Sequence, residues 1–515
     1  MMTEKFTETI KAGYAFSGKS VLLGGAMFDR KNVPGLEVRM PLATVNRHGL
    51  IAGATGTGKT KSIQRFAESL SENGVGVLLM DIKGDVSGIS KPGVENPKIK
   101  ERMAMIGAPW APTEYPTELM TISHEKGLRL RATVSEFGPV LFSKILELNE
   151  NQEGAVAIVF KYCDDHRLPL LDIKDFRAAL QFVGEGEGKK AIEDNYGAIS
   201  PATSGVIMRK LLELEQQGGD LFFGEKSFEV EDLLRKDSQG RAYISILRLV
   251  DIQDRPKLFS TFMLCLLAEI YNKFPEIGDK AEPKLVIVMD EAHLIFREAS
   301  DALMTQIETI IKLIRSKGVG IYFCTQAPTD IPTIILSQLG LKIQHALRAF
   351  TAKDRKDIKL VSENFPLTEF YKTDQLITEL GTGEALVTVL TEKGAPSPLV
   401  HTMMCAPQSR MDILTPEEQE EKIRSSQIAR IYNEEIDRQS AYEILKGKME
   451  DAAQEAEEQQ PSGRGRGRQE EPGWGTAIGK IAKSSMARTV AREVTRGLFG
   501  VLFGTKSGSR RKSIF

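Results

Sequence analysis

Short apolar runs along the chain alternate with segments of helical periodicity. The apolar runs are typical of buried strands and occupy residues 49–52, 76–80, 242–247, 284–289, 320–324, 343–349 and 385–390. Apolar residues at helical spacing lie between them, at 61–70, 259–271 and 302–316. Strands that alternate with helices in this way predict an α/β fold, in which a parallel sheet carries helices on both faces.

The first of these strand–helix junctions carries a glycine-rich loop. It fits the pattern G-x-x-x-x-G-K-[ST], and it follows a predicted strand and opens a predicted helix, the context that a phosphate-binding loop requires. Backbone N–H groups at the helix N-terminus would surround the phosphates of ATP. Lys59 would reach the β- and γ-phosphates, and the Thr60 hydroxyl would hold Mg²⁺. The predicted nucleotide-binding residues are Gly53, Ala54, Thr55, Gly56, Thr57, Gly58, Lys59 and Thr60.

The same pattern occurs a second time, at residues 13–20. Its context differs, because the preceding residues 3–11 are mostly polar and the following residues 21–25 resemble a strand. Tyr14 and Phe16 would also place bulky rings where the backbone must approach phosphates. We therefore interpret this copy as an N-terminal turn and not as a nucleotide site.

Two carboxylates follow a later apolar run. Asp290 and Glu291 come directly after the predicted strand 284–289, at the carboxyl end where ligands gather in open parallel sheets. In a phosphate-loop protein Asp290 would bind Mg²⁺, directly or through water, and Glu291 would act as the general base toward the attacking water. This pair predicts hydrolysis as well as nucleotide binding.

A third polar strand end follows residues 320–324. Gln326 is the candidate for sensing the γ-phosphate, with Thr325 as the second candidate, and a turn-capping role before Pro328 is the alternative. The chain shows no guanine-specifying Asn-Lys-x-Asp segment after the strand 284–289 and no kinase motif set, which argues against a small GTPase or a kinase.

Composition adds limits on the class of protein. The 515 residues carry a net charge of −2 and four widely spaced cysteines. The cysteine spacing argues against zinc and against a disulfide framework, and it favours the reducing cytoplasm. We expect no transmembrane helix and no signal peptide, because neither pattern appears in the sequence.

Shifts in composition predict how the chain is organised. We expect a small β lead-in, an α/β core in two stretches with a mainly helical insertion between them, an acidic helical segment, a Gly/Arg linker and a basic amphipathic tail. The β lead-in is predicted at 1–45, the core at 46–90 and 241–407, and the helical insertion at 91–240. The acidic segment is predicted at 408–460, the linker at 461–473 and the tail at 474–515.

The tail is predicted to be an amphipathic basic helix. From Ile478 to Leu502 an apolar residue recurs every four positions, and basic residues lie on the opposite face. Three interpretations stay open: residues 474–503 lie on an anionic membrane surface, bind nucleic-acid phosphates, or pack on another subunit or on the acidic helices.

Taken together, the motifs resemble those of the HerA/FtsK superfamily of P-loop ATPases, and in particular the HerA-like C-terminal group that includes the YjgR-type proteins. The segments that carry the resemblance are residues 46–60, 81–85, 289–293, 315–326 and 344–350. The resemblance implies a RecA-like core with a parallel or mixed sheet. It also implies a homo-oligomer, usually a hexameric ring, with ATP between subunits and DNA or another polymer driven through the ring.

The family also implies an arginine that one subunit supplies to its neighbour's γ-phosphate, where it stabilises transition-state charge. Arg315 matches the position of this residue in some relatives, and Arg348 is the other candidate. The function expected is Mg²⁺-dependent ATP hydrolysis that drives a DNA translocase or helicase-like motor. The alternatives are a nucleotide-switched assembly or scaffold ATPase and a motor that acts on protein or at a membrane.

Overall fold

A computed structural model describes residues 2–184, 189–278, 282–434, 436 and 438–447. Within these ranges a single mixed sheet is the centre of the fold. Its strands are β1 Ser20–Phe28, β2 Lys31–Pro41, β3 Gly49–Ala52, β4 Gly76–Asp81, β5 Thr117–Thr121, β6 Leu128–Arg129, β7 Ile244–Arg248, β8 Leu285–Met289, β9 Val319–Thr325, β10 Leu341–Gln344, β11 Glu384–Thr388 and β12 Val400–Met404.

The strands lie in the order β2-β1-β12-β11-β10-β3-β9-β8-β4-β7-β5-β6. From β10 to β6 all neighbours are parallel, whereas β11, β12, β1 and β2 continue the sheet with antiparallel pairing. The parallel half confirms the predicted α/β class, and its strands all present their carboxyl ends at one edge.

Helices cover both faces of the sheet. They are α1 Met2–Gly13, α2 Lys59–Glu72, α3 Pro97–Ile106, α4 Val134–Ile145, α5 Glu150–Asp165, α6 Ile173–Gly184, α7 Lys189–Tyr196, α8 Pro201–Gln216, α9 Gly219–Phe222, α10 Pro256–Lys273, α11 Ala292–Glu298, α12 Asp301–Leu313, α13 Thr333–Leu336, α14 Ala352–Glu363, α15 Thr373–Glu379, α16 Pro416–Ser425 and α17 Gln427–Tyr432. No helix in these described ranges combines the length and apolarity needed to cross a bilayer.

The continuous apolar runs of the central strands follow from burial on both faces. In β4, Leu78 contributes to a core shared with α10 and α12, and Leu79 contributes to the opposite core, which contains Phe66 of α2. Side chains alternate between faces along a strand, so a strand covered on both sides is apolar at every position. This is why these strands were recognisable in the sequence.

The N-terminal segment differs from the expected β lead-in, because it begins with the helix α1. Phe6 and Ile10 are fully buried one helical turn apart, and the Phe6 ring stacks on Phe28 with 4.8 Å between centroids. Two buried apolar residues in a largely polar helix are a weak signal, and their partners are distant in sequence. The strands β1 and β2 that follow belong to the main sheet.

The second copy of the glycine pattern lies between α1 and β1, so a helix precedes it and a strand follows it. Its backbone N–H groups at Ser17 and Gly18 both donate to Glu392 Oε1, at 3.1 Å each. The absence of a helix after the pattern agrees with its interpretation as a turn.

Residues 91–240 contain the helices α3 to α9, and they also supply β5 and β6 at one edge of the main sheet. The sequence did not reveal β5, because it mixes polar and apolar residues. Glu118 is buried there and its carboxylate pairs with Arg235, with 3.0 Å between Oε1 and Nη2. Phe142 and Phe176 from this segment share the core that contains Leu78, so the segment packs directly on the parallel sheet.

The segment predicted as an acidic helix at 408–460 contains α16, α17 and further helical residues at 441–447. Its remainder from residue 448, the predicted linker at 461–473 and the predicted amphipathic tail at 474–515 lie outside the described residues. The three interpretations of the tail therefore stay predictions.

Candidate functional site

The carboxyl edge of the parallel strands gathers most of the predicted site residues. The loop 53–60 follows β3, the pair Asp290–Glu291 follows β8, and Gln326 follows β9. In the sheet order β9 lies between β3 and β8. Three motifs that are far apart in sequence therefore end side by side.

Gly56 and Gly58 of the loop 53–60 have positive φ angles, which residues with a side chain rarely adopt. Gly56 has a φ of 77° and open space where a Cβ would stand. Gly58 has a φ of 112°, and a Cβ there would lie 3.0 Å from the backbone nitrogen of Gly383. Both conformations favour glycine. Thr55 and Gly56 are exposed at the mouth of the loop, which is where a phosphate group would enter.

Lys59 and Thr60 begin α2 and point to different parts of this site. Lys59 Nζ is buried and donates to the carbonyl oxygens of Gly53 at 2.6 Å and Ala54 at 3.3 Å, within its own loop. Burial lowers the pKa of Lys59, although the negative charge of Glu291 acts to raise it. Thr60 Oγ1 donates to Asp85 Oδ2 at 3.3 Å.

Three carboxylates meet beside Thr60. Oxygens of Asp81, Asp85 and Asp290 lie within 4.8 Å of one another. Burial, together with the charges of Glu291 and Asp85, raises the pKa of Asp290 to about 7, and burial and Asp85 raise that of Asp81 to about 6. Oδ1 of Asp85 is buried and has no hydrogen-bond partner among the described residues. Hard oxygen donors with uncompensated negative charge fit Mg²⁺, so Asp85 joins the predicted ligands Thr60 and Asp290 as a candidate.

Glu291 is 2 % exposed and has a left-handed backbone, with φ 47° and ψ 45°. Such a conformation is strained for a residue with a side chain and is concentrated at functional sites. Lys83 Nζ donates to Oε1 of Glu291, and His293 Nδ1 lies 3.1 Å from Oε2. Although partial burial acts to lower it, the hydrogen bond and charge of Glu291 raise the pKa of Lys83.

Gln326 is exposed at the end of β9, which is a position that suits a γ-phosphate sensor. Thr325 is buried, and its hydroxyl donates to Asp330 Oδ2 at 2.7 Å. The second candidate therefore caps the turn after β9, and the sensor role of Gln326 stays a prediction.

The two candidate arginines lie at opposite ends of the parallel strands. Arg348 follows β10 at the same edge as the loop 53–60; it is exposed, and its Nη1 donates to the Thr378 carbonyl at 3.1 Å. Arg315 precedes β9 at the opposite edge, where its carbonyl accepts from Asn46 Nδ2 at 3.2 Å. Since β9 spans seven residues, Arg315 is on the order of 20 Å from its own loop, at about 3.3 Å per residue. Within one chain the structure does not bring Arg315 to the site.

The structure places His345 directly against the loop 53–60. No role was predicted for this residue from the sequence. His345 is fully buried, its Nε2 lies 3.0 Å from Ser62 Oγ, and its Nδ1 lies 2.8 Å from the Glu384 carbonyl. A Cβ on Gly53 would approach His345 Cβ to 2.5 Å. The apolar pattern predicts a strand at 343–349, and the family resemblance includes residues 344–350, but neither points to this contact.

A second unpredicted contact holds the loop 381–384 against the phosphate-binding loop. Gly383 N donates to the Thr57 carbonyl at 2.9 Å. Arg102 of α3 donates to the carbonyls of Gly383 and Met404 at 3.0 and 3.2 Å, and to that of Thr382 at 3.0 Å. This single guanidinium binds three backbone carbonyls, and it therefore fixes one wall of the site.

Comparison with known proteins agrees with this geometry. The family model described as "Helicase HerA-like C-terminal" matches residues 29–511. The DNA double-strand break repair helicase HerA of Sulfolobus acidocaldarius is 22% identical over 356 residues, which cover 68% of this chain and 64% of the relative. HerA of Saccharolobus solfataricus is 23% identical over 384 residues, covering 74% and 68% respectively. The chain thus spans slightly less than two thirds of the first of these relatives.

Among solved structures, the bacterial conjugative coupling protein TrwBdeltaN70 in its unbound monoclinic form matches with a TM-score of 0.50 and 13% identity, over 79% of this chain and 94% of that one. Its trigonal form in complex with sulphate matches to the same extent. At this identity the likeness shows the fold alone, and it agrees with the expected RecA-like P-loop core.

Proposed function

Because the chain belongs to the helicase HerA-like C-terminal family, we propose that it is a Mg²⁺-dependent ATPase. The observation that supports this most directly is the convergence at one sheet edge of a phosphate-binding loop and two buried carboxylates. A nucleotide-binding protein without hydrolysis needs the loop but has no use for a strained, buried glutamate beside it.

Each residue has a role that follows from its position. The N–H groups of loop 53–60 and the Lys59 ammonium bind the phosphates, and Thr60, Asp85 and Asp290 would hold Mg²⁺. When bound, Mg²⁺ would neutralise charge on the phosphates. Glu291 accepts a proton from the attacking water, and Gln326 senses the γ-phosphate from the end of β9.

The proposed use of ATP is movement along DNA by a ring of identical subunits. The HerA relatives are described as DNA double-strand break repair helicases, which supports DNA as the polymer. The position of Arg315 supports a shared site, because Arg315 lies at the opposite end of β9 from its own loop and would have to act at a neighbouring subunit's loop. The four cysteines are free thiols, which suits a cytoplasmic location.

The test is ATP turnover measured with and without DNA at low salt, where phosphate contacts are strongest. We expect DNA to stimulate turnover and Glu291→Gln to reduce it by about 100-fold or more, as for loss of a general base, while ATP binding is retained. Glu363→Gln, which changes an exposed carboxylate of α14, is the matched control. Turnover that persists in Glu291→Gln would refute the assignment of the base.

Hydrolysis that no DNA affects would count against the DNA motor, and it would favour a scaffold ATPase or a motor on protein or membrane. The shared site has its own test. Lys59→Ala and Arg315→Ala subunits are mixed after each is shown to assemble. Recovery of activity in the mixture supports an arginine supplied in trans, and the same mixture with Arg348→Ala tests the other candidate.

A further inference from the structure

A lysine–glutamate ion pair joins two neighbouring loops at the edge of the sheet that carries the site. Lys83 Nζ donates to Glu291 Oε1. The strands β4 and β8 are parallel neighbours in which Met80 is paired with Met289. The turn after β4 and the glutamate after β8 therefore lie side by side, and the register of these two strands brings Lys83 close to Glu291.

The turn that carries Lys83 has a defined shape. Asp81 Oδ1 accepts from the backbone N–H groups of Gly84 at 2.7 Å and Asp85 at 3.2 Å, and Gly84 has a φ of 76°. Such a side chain-to-backbone turn is rigid. It fixes the backbone of Lys83, and the long side chain reaches from there to Glu291.

The two partners differ in exposure. The Lys83 side chain is 40 % exposed, whereas that of Glu291 is 2 % exposed. A general base needs an oxygen lone pair directed at the attacking water. In this structure Oε1 of Glu291 is bound to Lys83, and Oε2 lies 3.1 Å from His293 Nδ1. Oε2 makes no hydrogen bond among the described residues, so Lys83 is the group that fixes the orientation of the carboxylate. The Lys83 side chain is exposed enough to move away into solvent.

We propose that Lys83 is a positioning residue that restrains Glu291 in a resting arrangement, and that ATP in the loop weakens this restraint without removing it. The charge of Lys83 acts on Lys59, as does that of Glu291, so all three groups share one electrostatic environment. A γ-phosphate bound at Lys59 competes with Glu291 for the Lys83 ammonium. Weakening of the restraint on the base is thereby coupled to nucleotide binding. This inference rests on the proposed ATPase function.

The test is to replace Lys83 with Met, which removes the charge but keeps a long side chain. We expect Lys83→Met to raise DNA-free ATP turnover roughly fivefold, the rate factor for about 1 kcal/mol of restraint at a partly exposed ion pair. Lys83→Arg, which keeps the pair, should return turnover to the wild-type value. Lys91→Met is the matched control, because the Lys91 side chain is 36 % exposed and lies 3.9 Å from Glu421.

Turnover that is unchanged or lower in Lys83→Met, with ATP-analogue binding and oligomer size as in wild type, would overturn the proposal. So would a gain that survives in the double variant with Glu291→Gln, because the effect must pass through Glu291. Should Lys83→Met fail to fold, Lys83→Gln provides the same test. If the proposed ATPase site is itself wrong, Glu291→Gln alone will leave turnover unchanged. That result distinguishes failure of the proposed function from failure of the role of Lys83.

Discussion

Acid should destabilise this protein through one buried histidine whose hydrogen bonds require the neutral ring. His48 is 3 % exposed. Its Nε2 lies 2.7 Å from the Ile311 carbonyl and must donate there, whereas its Nδ1 accepts from Ile321 N at 3.0 Å. A second ring proton would place two N–H groups against each other. His48 is at the edge of the sheet opposite the loop 53–60, so the prediction concerns stability and not the site.

Burial lowers the pKa of His48 from 6.5 to about 4. The hydrogen bond to the Ile311 carbonyl acts to raise this pKa, and the positive charge of Arg315 acts to lower it further. Because the folded pKa lies below the unfolded one, the unfolded chain binds more protons between these values. The contribution of His48 is therefore complete above pH 6.5 and is lost as the pH falls toward 4. At pH 5 the loss amounts to about 2 kcal/mol of the free energy of unfolding.

The assay is equilibrium urea denaturation of wild type and His48→Gln at pH 7.5 and pH 5.0 and equal protein concentration. Glutamine keeps a donor near Nε2 but does not titrate. We expect His48→Gln to be less stable at pH 7.5, and its loss of stability between the two pH values to be about 2 kcal/mol smaller than that of wild type. His166→Gln, at an exposed ring after α5, is the control. An equal pH dependence in wild type and His48→Gln would refute the reasoning.

Three further predictions concern the wall formed by loop 381–384, the phosphate-binding loop and helix α5. Arg102→Gln should loosen loop 381–384 and weaken binding of a fluorescent ATP analogue by about tenfold. This is about 1.4 kcal/mol, close to the contribution of a single charged hydrogen bond. Lys98→Gln on the same helix is the control, and equal affinities of wild type and Arg102→Gln would contradict the role of Arg102 in holding this loop. Gly58→Ala should cost about 1–3 kcal/mol of stability and abolish analogue binding, because its Cβ meets backbone at a φ of 112°. Gly154→Ala, a helical site with open space, should instead stabilise by about 0.5–1 kcal/mol in thermal unfolding, and loss of stability there would show that the glycine has another role.

The sequence by itself determined the six central parallel strands, from β10 to β7 in the sheet order, and the position of the phosphate-binding loop. Both depend on local physics. Strands buried on two faces are apolar throughout, and the pattern G-x-x-x-x-G-K-[ST] between such a strand and a helix is typical of phosphate binding. The same reasoning placed Asp290, Glu291 and Gln326 at strand ends, where the parallel arrangement brings them to one edge.

Only the tertiary structure decided which distant groups complete that edge. The contact of Lys83 with Glu291 depends on β4 and β8 being neighbours, and that of His345 with the loop depends on β10 pairing with β3. Helix α1 and strand β5 were missed for a related reason, since their burial is supplied by partners far along the chain. Side-chain pairing across a sheet follows from strand order and register, which local periodicity does not encode.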